Sequence, residues 1–146
     1  VKVLKKNGCK DLTILHCCSS YPTKIEDCNL STIYTLRKKF KCNVGWSDHS
    51  VNQSVLIRAI EKWKVDTIEF HMDLDGKGSE FNQKHCWLPH DIKKIINYSN
   101  DRKIIDGEDT KKPTKKETKE RNWRADPIDG FRPIKNKKII KMLKKY

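Results

Sequence analysis

The sequence predicts a parallel α/β fold, because short apolar, β-branched segments alternate with helical patterns along the chain. The segments at 12–17, 43–46 and 67–71 have the length and composition of strands. A helical pattern follows each of them, which makes three successive βα units. A strand, a helix and a second strand form a βαβ unit, and the crossover makes its two strands parallel.

The first unit begins with strand 12–17, which is apolar on both faces, as a buried parallel strand is. A helix precedes this strand and ends at 7–8, an Asn-Gly pair typical of a helix C-terminus. After the strand, Pro22 keeps the polar loop out of helical conformation. The next helix is expected to begin at Asn29 or Ser31, either of which can cap it. The inner face of that helix is formed by Ile33, Leu36 and Phe40.

The second and third units repeat the pattern. Helix 53–64 joins strands 43–46 and 67–71, and its apolar residues lie on one stripe. After a glycine-containing loop at 75–79, Pro89 is placed to open a further helix. The residues of that helix expected to face inward are Ile92, Ile95 and Ile96. The stripe of helix 53–64 consists of Val55, Leu56, Ala59, Ile60 and Trp63.

The composition changes near residue 106, so we divide the chain into 1–105, which holds the βα units, and 106–146, a basic extension. Residues 111–119 are rich in charge and poor in apolar side chains, as in a linker. The segment 123–133 holds two prolines and two aromatic residues and is expected to lie against a surface. Apolar residues at 139–143 suggest a short terminal helix.

The chain is strongly basic, with 32 Lys and Arg against 19 Asp and Glu and a net charge of +13. The lysines lack interleaved aromatic residues and no recognition motif occurs, so nucleic acid is not expected as a partner. The six cysteines form no C-x-x-C pair, and no signal-like or membrane-length apolar segment occurs. We therefore expect reduced thiols, a cytoplasmic location and no membrane partner. Cys17 is expected to be a buried small hydrophobe.

Two histidines mark a candidate site. His49 and His71 each lie in a polar cluster at the end of a predicted strand. The carboxyl ends of parallel strands meet at one edge of the sheet, where α/β folds bind ligands. A lone histidine there is more often structural, but two imidazoles brought together can share one metal ion. Asp48 is expected to hold its loop by accepting backbone N–H groups.

Three predicted strands do not close a barrel, which needs eight strands and about 250 residues. A small parallel sheet by itself leaves apolar edges and faces uncovered. The sequence therefore reads as the last part of a larger fold.

Three motifs resemble those of the sialic acid synthase family, which includes the N-acylneuraminate, legionaminic and pseudaminic acid synthases. Residues 16–22, HCCSSYP, resemble the family's H-C-x-S/N-x-Y-P. Residues 45–50, GWSDHS, resemble G-Y/L-S-D-H-T, and residues 68–75, IEFHMDLD, resemble I-E-K/R-H-F-T-L-D. The order and approximate spacing of the motifs also agree. The resemblance covers about residues 1–120 and only the later part of the family's catalytic barrel.

The resemblance implies a partial (β/α)8 TIM barrel made of about the last three βα units. The family condenses phosphoenolpyruvate with an N-acylated amino sugar to form a nine-carbon acid, and uses a divalent metal, Mn²⁺ or Mg²⁺. By this resemblance His49 and His71 match the metal ligands. The full-length enzyme is expected to be a homodimer. The positions that match substrate-contacting or catalytic residues are Ser19, Tyr21, Ser47 and Glu69.

Several residues near the predicted site have more than one chemical role. Glu69 can bind a sugar hydroxyl or orient a histidine, and Tyr21 can contact substrate or pack against Pro22. Where the family has P-G-P-D-H, an ungapped alignment gives residues 79–83, so a substrate-contacting aspartate becomes Asn82. Asp73 adds a charge close to the proposed metal.

The remaining histidines are given structural roles. His16 is expected to pack in the barrel interior, and His85 and His90 are expected to be exposed.

Catalysis is not expected from these 146 residues alone, because the family's phosphoenolpyruvate-binding lysine lies on earlier strands. The alternative function is a non-catalytic basic remnant or module that binds polyanions through its lysine-rich end.

Overall fold

The computed structural model describes residues 1–118 and Lys141. The chain divides into two compact units, Val1–Ile105 and Asp106–Tyr146. The helices described are α1 (Lys2–Lys6), α2 (Thr32–Phe40), α3 (Gln53–Glu61), α4 (Ser79–Asn82) and α5 (Pro89–Asp106), with a 3-10 turn at Ile25–Asp27. The strands described are β1 (Thr13–Cys17), β2 (Asn43–Asp48), β3 (Ile68–Met72) and β4 (Cys86–Trp87).

The strands form one parallel sheet in the order β1-β2-β3-β4. This arrangement confirms the predicted parallel βα units, since each crossover between the first three strands carries a helix. The fourth strand was not predicted, because its two residues are too few to show a strand pattern. β4 pairs with the carboxyl end of β3, where His71 lies opposite Cys86.

The core lies between the sheet and the helices α2, α3 and α5. On β2, Val44 and Trp46 point into this core and are fully buried. The opposite face of the sheet carries Cys17, Ser47 and Glu69, which are paired across neighbouring strands. Cys17 and Glu69 are exposed there within the described residues. The helical residues of the core include Ile33, Leu56, Ala59, Ile92 and Ile95.

Several sequence-based expectations about burial are wrong, three of them in β1 and α5. His16 lies on the core face of the sheet rather than in a barrel interior, because its register partner is Trp46 and the two rings contact each other. Cys17 is exposed rather than buried, since it occupies the other, open face. Ile96 is 51% exposed, while Ile92 and Ile95 of the same helix are buried as expected.

The structure describes residues 106–118 and Lys141 of the second unit. A short helical turn at 115–118 begins with a capping box, in which the Glu117 carboxylate accepts from the Thr114 N–H and the Thr114 hydroxyl accepts from the Glu117 N–H. Lys111 and Lys112 pair with Glu117 and Glu108. The predictions for 123–133 and for the helix at 139–143 lie outside the described residues, apart from Lys141. Among the described helices, none has the length and hydropathy needed to cross a membrane.

Candidate metal and substrate site

The structure brings the two predicted metal-binding histidines together. His49 directly follows β2 and His71 lies in β3, at the carboxyl ends of adjacent parallel strands. Their ring centroids are 5.2 Å apart. His49 is buried and the side chain of His71 is 38% exposed, so the pair is reached from one side.

The hydrogen bond of His49 determines which of its nitrogens is free. His49 Nδ1 lies 2.8 Å from the carbonyl oxygen of Cys18. A carbonyl can only accept, so Nδ1 carries the proton and Nε2 keeps its lone pair. Histidines that bind metals commonly donate their second ring N–H to a carbonyl or carboxylate in this way.

His71 makes the equivalent contact with an acidic residue. Its Nδ1 lies 3.2 Å from Glu80 Oε2. Glu80 belongs to the short helix α4, which follows the loop after β3. The sequence motifs gave no role to Glu80, because its approach to His71 depends on how this loop folds back.

His85 is the clearest departure from the sequence-based prediction. It was expected to be exposed, but it is buried, with 3% of its surface accessible. Its ring centroid lies 5.0 Å from that of His71 and 5.0 Å from that of Tyr21. The only sequence signal near it is the apolar pair that forms β4. His90, by contrast, is exposed as predicted.

The ring of Tyr21 lies against the imidazoles of His49, His71 and His85. Its ring centroid lies 4.2 Å from that of His49 and 5.9 Å from that of His71. The side chain is 48% exposed, so the ring lies between the histidine cluster and solvent.

Ser47 and Glu69 form a second polar pair on the same face of the sheet. The Ser47 hydroxyl donates to Glu69 Oε1 over 2.7 Å, and the two residues are register partners on β2 and β3. Ser19 is exposed, with its hydroxyl 3.8 Å from the sulfur of Cys17. Asn82 is exposed at the last residue of α4.

Asp48 has a structural role, as predicted. Its fully buried carboxylate accepts from the indole N–H groups of Trp46 at 3.0 Å and Trp87 at 2.9 Å. It also accepts from the Ser50 hydroxyl at 2.7 Å and from the Val51 N–H. These bonds fix the loop that carries His49.

Asp73 organises the loop between β3 and α4. Its carboxylate accepts from the N–H groups of Asp75, Gly76 and Gly78. These bonds, the one from Gly76 foremost, lower the pKa of Asp73. The same loop carries the chain from His71 to Glu80.

Two buried thiols lie next to these groups. Burial, followed by the charge of Glu80, raises the pKa of Cys86. Burial, followed by the charge of Asp48, raises the pKa of Cys28 to about 11. Both thiols are therefore protonated near neutral pH.

Residues 1–111 match the model of the NeuB family, which is more than half of the chain. The chain belongs to the NeuB family. This result confirms the resemblance to the sialic acid synthases drawn from the three motifs.

Named relatives of this NeuB chain are synthases of related acids. It is 32% identical over 142 residues to the N,N'-diacetyllegionaminic acid synthase of Campylobacter jejuni. The aligned region covers 96% of this chain and 42% of that protein. It is 40% identical over 74 residues to the pseudaminic acid synthase of the same species. That alignment covers 51% of this chain and 21% of that protein.

A solved structure gives the same relationship. The N-acetylneuraminic acid synthetase of Leptospira borgpetersenii matches with a TM-score of 0.58 and 29% identity over 82% of this chain and 41% of that one. The NeuB chain thus spans less than half the length of these relatives. Its sheet is part of a (β/α)8 barrel, as the sequence predicted.

Proposed function

We propose that this NeuB chain is part of a metal-dependent synthase that condenses phosphoenolpyruvate with an N-acylated amino sugar to give a nonulosonic acid. The observation that carries the proposal is the pair of imidazoles of His49 and His71, 5.2 Å apart at adjacent strand ends. Relatives named for legionaminic and pseudaminic acid synthesis support the class of product.

The residues present fit a divalent metal ion. His49 and His71 each have one ring nitrogen occupied by an acceptor and the other free to bind an ion. A bound divalent ion such as Mn²⁺ would act as a Lewis acid that polarises the sugar aldehyde toward attack by the enol ether.

The chain's own side chains would orient the sugar. The hydrogen bond from Ser47 occupies Oε1 of Glu69, which leaves Oε2 to accept from a sugar hydroxyl. Tyr21 can donate its phenolic proton to a hydroxyl or phosphate oxygen, since its ring lies over His49 and half of its surface is open. Ser19 and Asn82 would line the outer part of this surface.

Metal binding to the purified chain tests the proposal. Isothermal titration with Mn²⁺ should show at least tenfold weaker binding for His49→Ala and for His71→Ala, because each variant removes one ligand. His90→Ala is the matched control, since His90 is exposed and pairs with its neighbour Asp91. Equal Mn²⁺ affinity in all four proteins would contradict the proposed site.

A further inference from the structure

We propose that His85 and Glu80 join His71 in holding the metal ion, so that the site is built mainly from imidazoles and prefers Co²⁺ or Zn²⁺ to Mg²⁺. The inference deepens the proposed function and rests on it. It adds two residues that the sequence motifs did not assign, and Glu80, which accepts from His71 Nδ1 in the free chain, becomes a ligand of the ion.

The geometry of the donor atoms carries the proposal. One donor atom from each of His71, Glu80, His85 and Cys86 lies within 4.8 Å of the others. Two donors on opposite sides of an ion are about 4.2 Å apart, twice a metal–ligand distance of about 2.1 Å. Side-chain movements of up to about 1 Å would therefore bring these atoms into the coordination sphere of one ion.

The burial of His85 provides an independent reason. Its side chain is only 4% exposed, and its Nδ1 has no hydrogen-bond partner among the described residues. A buried polar nitrogen without a partner is destabilising, because it has lost its hydrogen bonds to water. Its Nε2 lies 3.9 Å from Glu80 Oε2, the oxygen that also contacts His71. A cation bound between His85 and Glu80 would turn this buried imidazole, which has so few polar partners, into a ligand.

The donor types determine which metal fits. Imidazole nitrogens suit Co²⁺ and Zn²⁺, whereas Mg²⁺ prefers an octahedron of oxygens. Two or three imidazoles and one carboxylate therefore exclude tight Mg²⁺ binding. Mn²⁺ lies below Co²⁺ and Zn²⁺ in the Irving–Williams order and should bind more weakly. Cys86 is left out of the ligand set, because its thiol already donates to Glu80.

Co²⁺ titration of the metal-free 146-residue chain tests the inference, with the visible absorption of bound Co²⁺ as the readout. Glu80→Gln and His85→Ala should each weaken Co²⁺ binding at least tenfold. Glu26→Gln and His90→Ala are exposed controls and should stay within twofold of the parent chain. Because His85 is buried and its variant can unfold, circular dichroism accompanies each titration. Glu80, with 61% of its side chain exposed, carries the test if His85→Ala unfolds.

The outcomes separate this inference from the proposed function. If His49→Ala and His71→Ala weaken binding but Glu80→Gln and His85→Ala do not, the inference is overturned and the two-histidine site stands. If His71→Ala, His85→Ala and Glu80→Gln weaken binding and His49→Ala does not, the inference holds and the role proposed for His49 fails. Binding of Mg²⁺ as tight as that of Co²⁺ would also overturn the inference.

Discussion

Asp48 illustrates how a single residue connects the core to the site. Its carboxylate is fully buried, yet it is surrounded by N–H and O–H donors from two tryptophans and from the loop that follows. A buried carboxylate is tolerated only when donors of this kind replace water. The adjacent residue, His49, is held in place by the same loop. The sequence predicted this role for Asp48 but did not identify the indole donors, of which Trp46 is two residues away and Trp87 lies on β4.

Asp48→Asn should destabilise the chain. One of the two carboxylate oxygens becomes an NH₂ group that faces an indole N–H or a backbone N–H, so a donor meets a donor. We expect the free energy of unfolding to fall by about 3 kcal/mol in urea denaturation. Asp11→Asn, at an exposed aspartate, should stay within about 0.5 kcal/mol of the parent chain. Equal losses in the two variants would contradict the role given to Asp48.

At the scale of elements, β2 serves two purposes at once. Successive side chains of a strand point to opposite faces of the sheet. Val44 and Trp46 therefore point into the core, and Ser47 points toward Glu69 on the other face. Gly45 is the position that allows β2 to lie close to its neighbours, because a Cβ there would meet the carbonyl oxygen of Thr67 and the side chain of Leu15. The same carbonyl accepts the N–H of Trp46. The absence of a side chain at residue 45 therefore fixes the spacing between strands on which the histidine pair depends.

Gly45→Ala should lower the free energy of unfolding by about 1–3 kcal/mol, because the added methyl group overpacks a buried contact. Thermal denaturation of the chain measures the effect. In a Leu15→Ala background, Gly45→Ala should cause a smaller but still measurable loss of unfolding free energy. The remaining loss comes from the backbone carbonyl of Thr67, which cannot rotate away as a side chain can. No loss in either background would show that the strands can separate without cost.

At the scale of the whole molecule, the proposed function gives the chain one side of a larger site. Four parallel strands place the histidine cluster, Tyr21 and Glu69 on one side of the sheet, and Cys17 and Glu69 are exposed on that face within the described residues. The chain covers 42% of the legionaminic acid synthase and 41% of the Leptospira synthetase. A site that carries out the proposed condensation would need to exclude water and surround its substrates, which a single open face does not do.

The purified 146-residue chain should therefore show no turnover with phosphoenolpyruvate and an N-acyl hexosamine in the presence of Mn²⁺. Phosphate release above the rate of a metal-only blank is the measurement, with a full-length synthase of the family as the positive control. Phosphate release that depends on both substrates would contradict the prediction and would show that one open face is sufficient.

The sequence by itself determined the parallel βα architecture and the meeting of His49 and His71, because the periodicities of strands and helices are local and parallel strands align their carboxyl ends. Only the tertiary structure decided that His85 is buried, that Glu80 reaches His71 and that His16 faces the core. The elements β4 and α4 span two and four residues, too few to show a period. Burial at such positions depends on contacts between residues far apart in the chain, which no local pattern records.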